Sequence, residues 1–515
     1  MLKAVQPTTM KSKLWLFLYL LSWQVFAQIK PNIVFILADD MGYGDVGAFN
    51  KQCQIKTPNL DKMATSGLVF TDAHSSSAVC TPTRYGILTG RYNWRSPLKS
   101  GVLTEYGSPL IPQSRTTMAS MLKKQGYKTA CIGKWHLGFN WATTDGLKPT
   151  DNIEKCNLDY TKAITGGPVD VGFDYFFGID APNYPPFCFM ENRQLQGNPS
   201  HFYAVRYDLD CRAGHGVKNW KMEAILPELR TKTVKFIENA ADSSAPFFLY
   251  LPLTAPHTPI VPSTPFLGQS GLNKYADFVM EVDNFVGVVM AALQKKGILD
   301  NTIVVFTSDN GCSPQADFSY LKEKRHNPNY FFRGHKADIF EGGHHVPLIV
   351  QWPKKIKPNQ SCKQTICLND FMATFAQISH YSLSDNEAED SYNLLPLFLK
   401  PNSSRPIREA TVHHSINGSF TIRQGDWKLI LCAGSGGWSF PKPGKEEAGL
   451  PKIQLYNLKK DIAEQDNVEA QNPLIVKKMT NLLRQYVRNG RSTKGKPQTN
   501  DGVFLHDRMD WLTHK

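Results

Sequence analysis

Beyond its first 30 residues the 515-residue chain has no long apolar run, which excludes a membrane-spanning helix in its body. Internal repeats are also lacking, so no solenoid is expected. There is no Lys/Arg-rich helix, no zinc-knuckle spacing and no RNA-binding signature, so nucleic acid is not the expected partner despite a formal net charge of +13. Nor is any long segment poor enough in apolar residues to stay disordered. With 41% hydrophobic and 20% charged residues the composition fits a packed, enzyme-like body. The positive charge then serves either ordinary solubility or the attraction of a polyanionic substrate.

The N-terminus carries what the rest lacks. Lys3, Lys11 and Lys13 form a basic stretch, Leu14 to Leu21 is apolar, and Val25-Phe26-Ala27 has small residues at the spacing of a cleavage site. The apolar run is far short of the roughly 20 residues that a membrane span needs. No cysteine follows it closely, which argues against a lipid anchor. Residues 1–27 therefore read as a signal peptide. The mature chain is expected to be exported, periplasmic or secreted, without stable membrane insertion. Export permits disulfides. Ten cysteines are present; with Cys80 set aside, nine remain and at least one more is unpaired. Cys362 with Cys367 and Cys188 with Cys211 are plausible local pairs, but spacing does not fix connectivity.

Apolar strand-like runs alternate with helical patterns. Ile33–Ala38, Leu68–Phe70, Lys128–Ile132, Phe247–Pro252, Thr302–Thr307 and Val346–Gln351 read as strands. Helices are expected from Pro58, over Thr116–Gln125, Leu229–Ala240 and Leu272–Lys295. Strands without a polar face belong to a sheet covered on both sides, so the expected class is α/β with a large, mostly parallel sheet flanked by helices. After about Lys400 short strand patterns (Ser419–Arg423, Trp427–Leu431) and a helix at Leu474–Val487 predict a small antiparallel sheet with a closing helix. The resulting division is a catalytic domain over 28–400, an antiparallel subdomain over 401–489 and a loosely packed tail over 490–515.

Polar residues gather at strand ends. Asp39-Asp40, Lys134 with His136, His257, and Asp309-Asn310 each follow an apolar run. Ligands of open α/β sheets bind outside the carboxyl ends of the strands, so the four groups point to one site. Adjacent carboxylates repel one another unless a cation lies between them. Asp39, Asp40, Asp309 and Asn310 offer only oxygen, which suits a hard ion such as Ca²⁺. Pro82 suits a helix's first turn, which would place Cys80 at a helix N-terminus, where an anion is favoured.

Cys80-Thr81-Pro82-Thr83-Arg84, followed by Leu88-Thr89-Gly90-Arg91, resembles the C-x-P-x-R signature of type I sulfatases, in the alkaline phosphatase-like superfamily. The likeness extends in order through Pro31–Asp40, Gly133–Gly138, Ala255–His257, Thr307–Gly311, Lys336 with Phe340–Gly343, Gly425–Ile430 and Leu455–Leu458. It implies that Cys80 is oxidised to formylglycine by a formylglycine-generating maturation enzyme. One hydroxyl of the aldehyde hydrate would attack sulfur and the other would later expel sulfate. It further implies one divalent cation held by Asp39, Asp40, Asp309, Asn310 and modified Cys80. Arg84 would hold the modified residue, and Lys134 and Lys336 would neutralise sulfate oxygens. His257 would protonate the leaving oxygen and His136 would accept the proton of the second hydroxyl. The implied substrate is a sulfated carbohydrate, with a general resemblance to galactosamine- and galactose-6-sulfatases.

The rival readings are a phosphodiesterase or phosphonate monoester hydrolase of the same superfamily, a catalytically dead binding protein and a purely structural secreted domain. The first would carry extra His ligands, which are not in place. The intact set of Cys80, Arg84, His136, His257 and Lys336 opposes the second, and the acids at strand ends oppose the third. His344 and His345 read as loop or supporting residues, and Asp283 as structural. Substrate specificity is expected from the loops 182–220 and 313–332, the latter carrying Lys322, Lys324, Arg325, His326, Asn327 and Asn329.

Overall fold

A computed structural model describes residue 1, residues 30–502 and residues 507–512. Apart from Met1, the expected signal peptide lies outside the described residues. In chain order the principal strands are β1 (Asn32–Ala38), β2 (Leu68–Phe70), β3 (Lys128–Lys134), β4 (Tyr175–Ile179), β5 (Phe247–Pro252), β6 (Thr302–Ser308), β7 (Leu348–Gln351) and β8 (Gln360–Cys362). They form one sheet in the order β8-β2-β7-β6-β1-β5-β3-β4, extended by a short hairpin of Met190–Glu191 and Gln194–Leu195. The five strands from β6 to β4 run parallel.

Both faces are buried, which is why the central strands carry unbroken apolar runs, such as Ile33–Ala38 and Ile303–Phe306, rather than alternating ones. Ile33, Phe35, Phe248, Tyr250, Ile303 and Val305 point into one core. Helices α2 (Cys80–Thr89), α3 (Met118–Lys124) and α6 (Phe371–Ser379) cover that face. Val34, Ile36, Leu249, Leu251, Val304 and Phe306 point into the other, beneath α1 (Pro58–Thr65), α4 (Ile225–Ala241) and α5 (Lys274–Lys295). Asp283 of α5 accepts bonds from the backbone N–H groups of Asn59 (3.0 Å) and Leu60 (2.8 Å), so it caps α1.

β7 departs from the parallel pattern. It runs antiparallel to both β6 and β2. A second sheet of β9 (Thr411–His414), β10 (Phe420–Gln424), β11 (Trp427–Ile430) and β12 (Gln454–Asn457) is antiparallel throughout. Helix α7 (Pro473–Arg488) closes it with Met479, Leu483, Tyr486 and Val487 packed on Val412, Phe420, Ile422 and Leu429.

Two expectations fail. The tail is not loosely packed over its described part: Asp501 accepts from buried Arg91 at 2.7 Å, and Asn500 from buried Arg95 at 3.0 Å. All ten cysteines carry free thiols, so neither local pair is bridged in the structure. No helix among the described residues is long and apolar enough to cross a membrane.

Candidate active site

The register of the sheet assembles the acids. Ala38 pairs with Ser308, so Asp39-Asp40 and Asp309-Asn310 leave adjacent parallel strands side by side. The Asp40 N–H donates to Asp309 Oδ1 (3.2 Å), and Asn310 Nδ2 donates to Asp40 Oδ1 (2.7 Å). β3 delivers Lys134 and then His136; the turn after β5 delivers His257. Gly133 lets β3 and β5 close up: with φ +141° it has no Cβ, and one there would stand 1.9 Å from the Pro252 carbonyl oxygen.

Three cations are packed against the three carboxylates. Lys134 Nζ lies 2.7 Å from Asp39, Lys336 Nζ 2.7 Å from Asp40, and Arg84 2.7 Å from Asp309. All six side chains are buried. Burial alone would raise the Asp39 carboxyl, but Lys134, His257, Arg84 and Lys336 together hold it far below the usual carboxylate range. Asp309 goes the other way: burial and the neighbouring Asp39 charge raise it despite Arg84. Arg84 donates to Asp309 and to the Lys134 carbonyl oxygen, so its guanidinium braces the Asp309 carboxylate.

Two oxygens in this cluster have no donor. Asp39 Oδ1 and Asn310 Oδ1 are buried and accept no hydrogen bond. A bare buried acceptor costs about 1–3 kcal/mol. With the Asp40 and Asp309 carboxylates beside them, the pair fits a hard divalent cation, which takes oxygen ligands.

Cys80 is the first residue of α2, all ten residues of which are buried. Its Sγ lies 3.2 Å from His136 Nδ1. His136 Nε2 is 2.9 Å from the Leu103 carbonyl oxygen, which can only accept, so Nε2 holds the proton and the Nδ1 lone pair faces residue 80. Burial, reinforced by Lys134, lowers His136 to about 3 and keeps it neutral. His257 Nδ1 donates in the same way to the Thr258 carbonyl at 2.5 Å, leaving Nε2 3.8 Å from Asp40 Oδ2. Asp40 (φ 66°) and His136 (φ 51°) hold left-handed backbone, a conformation disfavoured for residues other than glycine and common at functional sites.

The sulfatase family matches residues 31–381 of the chain. An N-acetylgalactosamine-6-O-sulfatase of Bacteroides thetaiotaomicron is 32% identical, over 88% of this chain and 92% of that one. The mouse N-acetylgalactosamine-6-sulfatase is 31% identical, over 79% and 73%. A solved 6S-sulfatase from a Bacteroides thetaiotaomicron locus for glycosaminoglycan metabolism superposes with a TM-score of 0.77 at 30% identity, covering 89% of this chain and 99% of that one. The chain belongs to the sulfatase family. It is a sulfuric ester hydrolase.

The expected site residues of this sulfatase converge: Asp39, Asp40, Arg84, Lys134, His257, Asp309, Asn310 and Lys336 are linked through the contacts above, and the Cys80–His136 pair adjoins them, Cys80 on the helix of Arg84 and His136 two residues after Lys134. Sequence reasoning missed Asp180, which follows β4 and accepts the His136 backbone N–H at 3.1 Å. Like Asp39 it directly follows an apolar strand, but it stands alone before Ala-Pro, without the second carboxylate that sets Asp39-Asp40 apart. Tyr184 was also missed; its ring stands edge-on to His136, with centroids 5.5 Å apart. Tyr184 belongs to loop 182–220, and Arg212 of the same loop stacks on it at 4.9 Å. Loop 313–332 is partly structural. His326 bonds buried Asp45 at 2.8 Å and Asn329 accepts the Cys312 N–H, while Lys322, Lys324, Arg325 and Asn327 are exposed. His344 and His345 lie inside the fold, both buried.

Proposed function

We propose that this sulfatase removes a 6-O-sulfate from a galactose or N-acetylgalactosamine unit of a glycosaminoglycan-type saccharide, with residue 80 acting as formylglycine. The names of the relatives support the substrate. The observation that carries the chemistry is Cys80 at the start of a buried helix, 3.2 Å from a neutral His136 and within electrostatic reach of Asp309 and Lys336.

Asp39, Asp40, Asp309 and Asn310 would hold a divalent cation, Ca²⁺ by their all-oxygen chemistry, which would supply positive charge for the sulfate group. Formylglycine supplies, as its hydrate, a hydroxyl nucleophile. The chain's own groups do the rest. Lys134 and Lys336 neutralise sulfate oxygens from two sides, fixed in place by Asp39 and Asp40. Arg84 keeps the carboxylates of adjacent strands in register. His257 faces the leaving sugar oxygen with Nε2; because Nδ1 keeps its own proton on the Thr258 carbonyl, the ring acts as the acid only after Nε2 has taken up a second proton, which the charge of the bound sulfate favours. His136 presents the Nδ1 lone pair to residue 80 and takes a proton there. The positive helix end at residue 80 favours the sulfate anion. Maturation requires a formylglycine-generating enzyme, and the basic, apolar N-terminus supports export to the periplasm or beyond.

The test is mass spectrometry of the peptide holding residue 80, from protein made with the maturation enzyme, alongside turnover of N-acetylgalactosamine-6-sulfate and of phosphate esters. The expected result is loss of the thiol sulfur in that peptide, sulfate release as the faster reaction, and no turnover by a folded Cys80→Ala variant. An active Cys80→Ala protein, or faster phosphate ester hydrolysis, overturns the reading.

A further inference from the structure

We infer that Trp438, on a loop of the C-terminal sheet, is a stacking platform for a sugar ring next to the sulfated unit, an inference that rests on the carbohydrate sulfatase reading above. The loop between β11 and β12 docks on the segment that carries Lys336. The Ile339 N–H donates to the Ser435 carbonyl at 2.8 Å. The Trp438 and Ser439 N–H groups both donate to Asp338 Oδ1, at 2.7 and 3.0 Å. Asp338 is fully buried, and its other oxygen accepts the His335 N–H at 2.9 Å. Gly437 lies flush on the segment: a Cβ there would stand 2.4 Å from the Ala337 carbonyl oxygen. Ala337 in turn donates its N–H to the Ala78 carbonyl at 2.8 Å, two residues before Cys80. Three backbone segments are thus stacked in sequence, holding Cys80, Lys336 and Trp438.

On this pinned loop the Trp438 side chain is 37% exposed and Phe440 is 73% exposed. A tryptophan anchored through its backbone, with its ring in reach of solvent, gives a flat apolar surface at small entropic cost. A pyranose with equatorial hydroxyls, such as the uronic acid that adjoins N-acetylgalactosamine in a chondroitin-type chain, presents axial C–H bonds on its faces, which is the surface such a ring accepts. The loop that carries the aromatic is bonded to residues 337–339, next to Lys336, and supplies no group to the chemistry, so Trp438 is placed to read the saccharide that extends from the sulfated unit.

The test compares a 6-sulfated chondroitin-type tetrasaccharide with 4-nitrophenyl sulfate as substrates of the matured full chain, its Trp438→Ala variant and its Trp438→Phe variant. The expected result is a KM for the tetrasaccharide raised about five- to tenfold in Trp438→Ala, with the ratio of tetrasaccharide to aryl sulfate kcat/KM falling by a similar factor. Trp438→Phe should restore most of that ratio. An unchanged ratio, or equal losses on both substrates, overturns the platform. Wild-type protein that hydrolyses the aryl sulfate but no sulfated saccharide overturns the carbohydrate reading and the platform with it; saccharide turnover insensitive to Trp438 overturns the platform alone.

Discussion

At the scale of the residue, the cluster sets three buried cations against three buried carboxylates. Lys134, Lys336 and Arg84 each lie 2.7 Å from a carboxylate, yet Asp39 Oδ1 and Asn310 Oδ1 remain without donors. Asp39→Asn should therefore lower calcium content by elemental analysis and reduce turnover by about 10²-fold or more. Tightly bound zinc with no calcium in the wild-type protein would contradict the oxygen-ligand argument. The two histidines separate by substrate. If His257 protonates the leaving oxygen, His257→Ala should slow a sugar sulfate by about 10²–10⁴-fold and an aryl sulfate far less, because a phenolate leaves without help. Equal losses would assign the proton to another group. Arg84 and Lys336 were reached only through the family motifs that contain them, whereas the acids, Asn310, Lys134 and the two histidines were legible because each sits at or just beyond the end of an apolar strand. Asp180 was not, since a single acid before Ala-Pro looks like an ordinary turn, and only β4 lying beside β3 brings it to the His136 backbone.

At the scale of the element, strand existence was legible and strand direction was not. β7 is buried at all four positions and apolar at three, as a buried strand is in either direction. Its orientation is set by where the chain returns after residues 309–347, and nothing local in Leu348–Gln351 encodes that. The tail was misread for a related reason. Its polar composition resembles a solvated extension, but its partners are buried arginines that follow the catalytic helix, 400 residues earlier in the chain. Arg91 donates to Asp501 Oδ2 and to the Thr499 carbonyl, and Arg95 to Asn500. Deleting residues 490–515 leaves these guanidinium groups short of acceptors, at about 1–3 kcal/mol for each charged bond lost. Thermal melting of the truncated protein should show a Tm several degrees lower, and Asp501→Ala a smaller drop in the same direction. A tail deletion that melts with the full chain would restore the loose extension.

At the scale of the whole molecule, the α/β body meets the C-terminal sheet across a seam of buried histidines. His74 follows β2, His344 precedes β7 and His413 lies in β9; all three are fully buried. The rings of His344 and His413 stack at 4.1 Å, and His74 Nδ1 is 3.0 Å from His344 Nδ1. Burial, with His345 adding to it, outweighs Glu341 and Asp72 and lowers His74 to about 4. Burial followed by the neighbouring positive groups puts His344 and His413 well below the ordinary histidine range. In the unfolded chain the same groups titrate near 6.5. Between that value and about 4, the unfolded state binds protons that the seam refuses, so stability falls as pH falls through this window. Asp72 and Glu341 are held low, so the stability they contribute is lost only at still lower pH. Glu464 works against the trend: burial, opposed by Lys428 and reinforced by Glu341, raises it to about 7, and its contribution weakens as pH rises. Within the seam three histidines oppose one carboxyl, so the seam loses stability on acidification, and His136 and His257, lowered to about 3 and about 4, add to the loss while Asp309 opposes it. Tm measured from pH 7 to pH 5 should therefore decrease by several degrees. His413→Asn, which removes one of the refused protons, should flatten that slope even if it lowers Tm throughout. A Tm that is constant or rises from pH 7 to pH 5 would mean that the seam opens to take up its protons without separating the two sheets.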